Sequence, residues 1–204
     1  MSAFDTTAFV STFITLIVIL DPPGAVPIFL ALTGSLTRAQ RNVAAGRASL
    51  VALFVISLFA VFGQSILDYL HISIAALQGA GGLLLLLIAL ELLTGKESDS
   101  LADAGVNVAL VPLGTPLLAG PGAIVATMLA VQRADEAGQY VAVAAALLAA
   151  MLLVFLTLRF ASRVRAVLRE SGTMLLTRIA GLLLSAIAVQ MIANSVEAFV
   201  TGTA

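Results

Sequence analysis

The stretch Leu20-Asp21-Pro22-Pro23-Gly24-Ala25-Val26-Pro27-Ile28-Phe29 interrupts an apolar run that begins near Phe9 and continues to Leu32. Its flanks read as one helix, yet a carboxylate, three prolines and a glycine fill its middle. Proline removes a backbone donor and clashes with the preceding turn, so no helix runs unbroken through Pro22-Pro23. Asp followed by Pro reads as an N-cap and a first helical position, which predicts that a second helix starts at Asp21.

The surrounding composition says what such a break is embedded in. Of 204 residues, 61% are hydrophobic and only 10% charged, too little polar surface for a water-soluble domain. Runs such as 51–61, 83–90 and 141–158 are nearly free of charge, and a bilayer-spanning helix needs about 20 mostly apolar residues. The reading is an all-α integral membrane protein, a single transmembrane domain over residues 1–204. The absence of cysteine excludes disulfides and thiolate metal sites, and a lone histidine, His71, excludes a His-rich metal centre. No cofactor, metal or nucleic acid is expected. Residues 1–5 lack the basic region of a signal peptide, so the first helix is expected to be retained.

Six apolar segments are predicted: about 7–32 with its break at Asp21, 44–67, 72–94, 107–132, 140–159 and 176–200. The fourth carries Pro112, Pro116, Gly120, Pro121 and Gly122 and is expected to be broken like the first. Loops one, three and five hold nine of the ten basic residues (Arg38, Arg41, Arg47, Lys96, Arg159, Arg163, Arg165, Arg169 and Arg178), and the fourth loop holds Arg133. Positively charged loops stay in the cytoplasm, which places both termini in the periplasm. Residues 157–170 also read as a basic amphipathic segment suited to the inner surface, although topology alone accounts for the arginines.

The chain repeats itself. Gly82-Leu83-Leu84-Leu85 with Ile88-Ala89-Leu90 recurs as Gly181-Leu182-Leu183-Leu184 with Ile187-Ala188-Val189, 99 positions on. Pro23-Gly24-Ala25-Val26 recurs as Pro121-Gly122-Ala123-Ile124, 98 positions on. Two halves of three spans, about 7–94 and 107–200, enter the membrane from opposite sides, an inverted-topology repeat common in secondary transporters. The first and fourth helices, broken near the midplane, then turn two helix N-termini toward one centre. Helix starts carry unpaired N–H groups and partial positive charge, which suits an anionic group.

The candidate substrate-binding residues are Asp21, Pro23, Gly24, Ala119, Gly120, Pro121, Gly122, Gln190 and Asn194. Asp21 either contacts a substrate amine, carries a coupling proton, or only caps its helix. Gln190 and Asn194 share a helix face and either bind a ligand or join helices. Glu91 is expected to reach water, His71 to sit in an outer loop, and Gly79-Ala80-Gly81-Gly82 to serve close helix packing.

At these residues the sequence resembles the MarC family of bacterial inner-membrane proteins, which includes SnatA-type amino-acid transporters. The likeness rests on Asp21-Pro22-Pro23-Gly24-Ala25-Val26-Pro27, on Asn107 through Pro112 and Pro116, and on Ala119-Gly120-Pro121-Gly122-Ala123-Ile124. Residues 72–82 and 178–194 also resemble the family's third and sixth helices. Leu117-Leu118 stands where relatives often place a hydroxyl. The resemblance implies six spans and transport of small neutral amino acids such as glycine and alanine. The expectation is therefore a secondary transporter, not an enzyme, in the bacterial inner membrane. Its partners would be a small-molecule substrate and membrane lipids, with room for a coupling proton or sodium ion and for oligomers. The competing expectations are transport of another small anion or a lipid headgroup, and an intramembrane enzyme using Asp21.

Overall fold

The computed structural model describes residues 4–34, 36–94 and 119–202. They form seven helices: α1 (Thr6–Leu20), α2 (Pro22–Leu32), α3 (Arg38–Leu70), α4 (Ile74–Thr94), α5 (Pro121–Gln132), α6 (Ala137–Arg159) and α7 (Ala161–Thr201). Five stretches are long and apolar enough to cross a membrane, namely Thr6–Leu30, Arg38–Leu70, Ile74–Thr94, Ala137–Arg159 and Ser171–Thr201. The fourth predicted segment contributes only its second half, α5, about 18 Å of helix. Its first half, with Asn107, Pro112, Pro116 and Leu117-Leu118, lies outside the described residues, as does the loop carrying Lys96.

Local chemistry sets the helix ends. Thr37 and Gln40 form a capping box at the start of α3, and His71 closes that helix in the left-handed conformation. Glu91 is exposed, as expected of a residue near the end of α4. Asp5 caps α1 through the Ala8 N–H, 3.0 Å from its Oδ1. That hydrogen bond, with a second from Gln139, holds the Asp5 carboxyl below its ordinary range. The basic stretch after α6 forms the first turns of α7, with Arg163, Arg165 and Val167 exposed. Non-helical dihedrals at Arg169 (φ 54°) then kink α7 before it crosses the bundle.

Contacts fix the direction of each helix. The Asp5 N–H and carboxylate meet the Gly138 carbonyl and the Gln139 amide, so α1 and α6 start at one face. Arg41 reaches the Thr33 carbonyl and the Ser162 hydroxyl, both at 3.2 Å, so α2 and α6 end together at the other. Arg38, Arg41, Arg159, Arg163 and Arg165 belong to the helix ends of that second face. α5 runs the opposite way to α1 and α2, because Gly122 lies beside Ile19 while Arg133 shares a cavity with Ala8. Ser195 donates to the Ala75 carbonyl (2.7 Å), so α7 ends near the start of α4, on the same face as the start of α1.

Small residues let the helices approach. Ala45, Ala48 and Ala52 of α3 share a core with Leu147, Ala150 and Val154 of α6 and with Ala25, Val26 and Phe29 of α2. Large apolar residues such as Phe54, Val61, Leu87 and Leu182 point outward, the arrangement suited to a hydrocarbon solvent. The pairing of α4 with α7 is reciprocal. A Cβ on Gly82 would lie 2.9 Å from the Ala188 carbonyl, and one on Gly181 would lie 3.2 Å from the Ala89 carbonyl. These four positions are related by the 99-residue offset of the sequence repeat. Gly79 and Gly81 likewise pack against Ser195 and Val125.

Gly82→Ala should therefore lower thermal stability in detergent by about 1–3 kcal/mol, because a methyl group must push two backbones apart. Gly46→Ala should be neutral or stabilising, since its Cβ would meet the Phe155 ring at an ordinary 3.7 Å. Circular-dichroism melting checks both, and equal midpoints for the two variants would contradict the close-packing account.

Candidate functional site

The break between α1 and α2 is a single residue. Asp21 adopts φ 35° and ψ 66°, and its N–H donates to the Ile17 carbonyl at 3.1 Å. Its own carbonyl accepts from the Ala25 N–H at 3.0 Å, the first bond of α2. Asp21 thus closes one helix and opens the next, as the Asp-Pro pair predicted. Because Pro22 and Pro23 have no N–H, the Val18 and Ile19 carbonyls lack their usual helical donors. Carbonyls without helical donors and helix-start N–H groups therefore lie side by side.

The Asp21 side chain is 7% exposed, the only buried charged group among the described residues. Its carboxylate lies against the Gly24 N–H and the Thr177 hydroxyl. Oδ2 nevertheless has no partner in hydrogen-bonding geometry, and no ion pair among the described residues neutralises it. A Cβ on Gly24 would overlap this carboxylate, so the glycine makes room for Asp21. Thr177 on α7 is a residue that the sequence reading missed.

α5 starts at a comparable depth. Gly120 is its N-cap and Pro121 its first residue. The Ala123 and Ile124 N–H groups both donate to the Gly120 carbonyl, which leaves the Gly122 N–H without a helical acceptor. A Cβ on Gly122 would overlap the Leu85 side chain and lie 3.4 Å from Ile19. This glycine thus admits neighbouring side chains, where the sequence suggested room for a ligand. Ala119 is buried and Gly120 half-buried.

The predicted residues divide between two places. Asp21, Pro23, Gly24 and Ala119 to Gly122 gather at the two helix starts. Gln190 and Asn194 line a cavity of about 310 Å³ nearer the face where α1 begins, together with Ser11, Thr12, Thr15, Leu16, Leu129, Arg133 and Met191. Gln190 donates to Asn194 at 2.7 Å within α7, so this pair does not join two helices. The cavity ends on Leu16, about one helical turn short of Leu20 and Asp21. Neither Gly24 nor Gly122 lines it. Ser11, Thr12 and Thr15 form a polar stripe at helical spacing, a signal present in the sequence but not drawn from it.

Asp21→Asn should melt at or above the temperature of the native protein, since Asn caps as well as Asp and removes a buried unpaired charge. Asp21→Ala should lose about 0.5–2 kcal/mol with the cap. A large destabilisation by Asn would show that the negative charge itself holds the break together.

The comparisons place the chain in an integral membrane family. Residues 6–200 match the family model described as MarC family integral membrane protein. A UPF0056 membrane protein of Methanocaldococcus jannaschii is 39% identical over 196 residues, covering 93% of this chain and 96% of its own. The UPF0056 membrane protein YvbG of Bacillus subtilis is 35% identical over 192 residues, covering 90% and 91%. YhcE of Escherichia coli is 30% identical over 207 residues, covering 98% and 96%. No solved structure matches the chain. With a family match over almost its whole length and relatives of its own size, this chain of apolar spans with an interrupted first helix belongs to the MarC family of integral membrane proteins.

Proposed function

We propose that the protein is a secondary transporter that moves small neutral amino acids of the glycine and alanine class across the bacterial inner membrane by alternating access. The observation that carries this reading is a cavity lined in part by hydroxyl, amide and guanidinium groups that ends about one turn above two helix starts of opposite direction. Helix N-termini offer N–H groups to a carboxylate, and Asp21 with the unpaired Val18 and Ile19 carbonyls offers acceptors to an ammonium. A zwitterion needs both. The SnatA-type resemblance supports the same substrate class. The reciprocal contacts of Gly82 and Gly181 support two inverted repeats of three spans.

In this arrangement the cavity opens toward the face on which α1 starts, and Leu16, Ala126 and Ile187, the deepest lining residues of α1, α5 and α7, close the path to Asp21. Transport then requires these apolar side chains to part while the opposite path stays shut. The arginine-rich face is assigned to the cytoplasm by the positive-inside rule, which leaves both termini periplasmic. A proton or sodium ion is the proposed coupling ion. No catalytic role is proposed for Asp21, because acid–base work needs a positioned partner and its neighbours are a hydroxyl and an amide.

Uptake of labelled glycine and alanine into proteoliposomes tests the substrate class. Alaninamide should compete about ten- to a hundredfold less well than alanine, since it loses a charge-assisted hydrogen bond. Equal competition would remove the carboxylate from the recognition scheme. Reporter fusions after Thr201 should be active only in forms that work in the periplasm, and cytoplasmic activity would reverse the assigned orientation.

A further inference from the structure

We infer that the cavity near the start of α1 is itself a binding site for a small carboxylate, with Arg133 as the counter-charge. The cavity adds an outer station to the transporter reading, and it rests on that reading only for where the ligand goes next. Its wall is built from four helices: the first turns of α1, the last turns of α5, the start of α6 and the last third of α7. Among its sixteen lining residues Arg133 is the one charged side chain, and no carboxylate joins it. The Arg133 side chain makes no ion pair or hydrogen bond among the described residues, so a full guanidinium fork stands available to an anion.

The other polar groups divide by whether their hydrogen bonds are already used. Gln139 is committed, since it donates to Asp5 (3.3 Å) and accepts from the Asp135 N–H (2.8 Å). It latches α1 to α6. Asn194 spends only its oxygen, on Gln190, which leaves its amide N–H groups free. Threonines elsewhere in the bundle fold back on their own helices: Thr33 on the Phe29 carbonyl, Thr127 on Ala123 and Thr157 on Leu153. Ser11, Thr12 and Thr15 make no such bond, although Thr12 is only 8% exposed. A nearly buried hydroxyl that declines its own helix and lines a cavity is placed for a ligand.

The inventory is thus one cation, several unspent donors and an apolar floor of Leu16, Ala126 and Ile187. It matches a carboxylate with a short aliphatic tail. A cation would meet Arg133 with no carboxylate among the lining residues to offset it. A wholly apolar ligand would leave the donors unpaired, at a cost in affinity. The cavity of about 310 Å³ also leaves space for water around a ligand as small as alanine.

The absence of cysteine from the chain gives a clean test. Ala130 lines the cavity one turn from Arg133, so Ala130→Cys places a single thiol there. In proteoliposomes the thiol is labelled with a negatively charged and a positively charged methanethiosulfonate. The ratio of the two rates should fall about tenfold when Arg133→Gln is added and return with Arg133→Lys. Propionate and alanine should slow the labelling, whereas propionamide and alaninamide should not. Ala126→Cys, one turn deeper, provides the same reading should Ala130→Cys fold poorly. A ratio indifferent to Arg133→Gln, or protection by amides equal to that by carboxylates, would overturn the proposal. A protein that passes these tests but moves no amino acid keeps the anion site and loses the transporter reading. One that transports alanine but fails them does the reverse.

Discussion

The structure depends on how a backbone without donors is kept inside an apolar bundle. Each unsatisfied backbone group in hydrocarbon costs several kcal/mol, and Pro22-Pro23 strand two carbonyls at once. A carboxylate at such depth adds at least about 2.5 kcal/mol on insertion scales. The bundle answers by covering the break from every side. Leu16, Leu20, Ala25, Val26 and Phe29 join one core with Ala119 and Ala123 from the start of α5. The Asp21 carboxylate turns onto Gly24 and Thr177, away from lipid. A broken helix is tolerable here because protein surrounds it, and its position determines where α5, α6 and α7 must sit.

Close approach of α4 and α7 serves the same end. Gly82 and Gly181 bring carbonyls of the opposite helix to within a methyl group's reach, so the pair packs on backbone. In lipid, where apolar surface alone gives little drive for association, such contact is what holds helices together. Leu85 and Leu184 extend from this seam into a second core with Val18, Val125 and Leu129. The seam therefore supports both the α5 start and the floor of the cavity. A residue at Gly82 with a side chain would be felt at both places.

Much of this was legible because it follows from backbone chemistry. The break at Asp21, the start of α5 at Pro121 and the packing role of Gly81 and Gly82 all come from proline and glycine, whose constraints are local. The division of the site was not legible, because it depends on which helix faces come together. Gln190 and Asn194 were grouped with the helix starts by their polarity, yet they lie with Arg133 in the cavity. Arg133 read as a loop charge because its contribution requires the fold of α5 against α1. Thr177 looked like one more helical threonine until α2 packed on α7. The space that Gly122 leaves beside its backbone is taken by Leu85, a contact that only the packing of α4 on α5 reveals.

The two halves match in their glycines and differ in their charges, and the difference is informative. At the 98-residue offset Asp21 corresponds to Ala119, and at the 99-residue offset Thr177 corresponds to Gln78. The acidic group thus belongs to the first half alone, while the free guanidinium, Arg133, belongs to the second. They lie at different depths, Arg133 at the cavity and Asp21 below its floor. A ligand carrying both a carboxylate and an ammonium could not satisfy both groups from one position. It would leave Arg133 as it approached Asp21, exchanging one charge partner for the other on either side of the floor formed by Leu16, Ala126 and Ile187. On the transporter reading, symmetry of the backbone supplies two similar conformations, and asymmetry of these two side chains supplies a direction along the path between them.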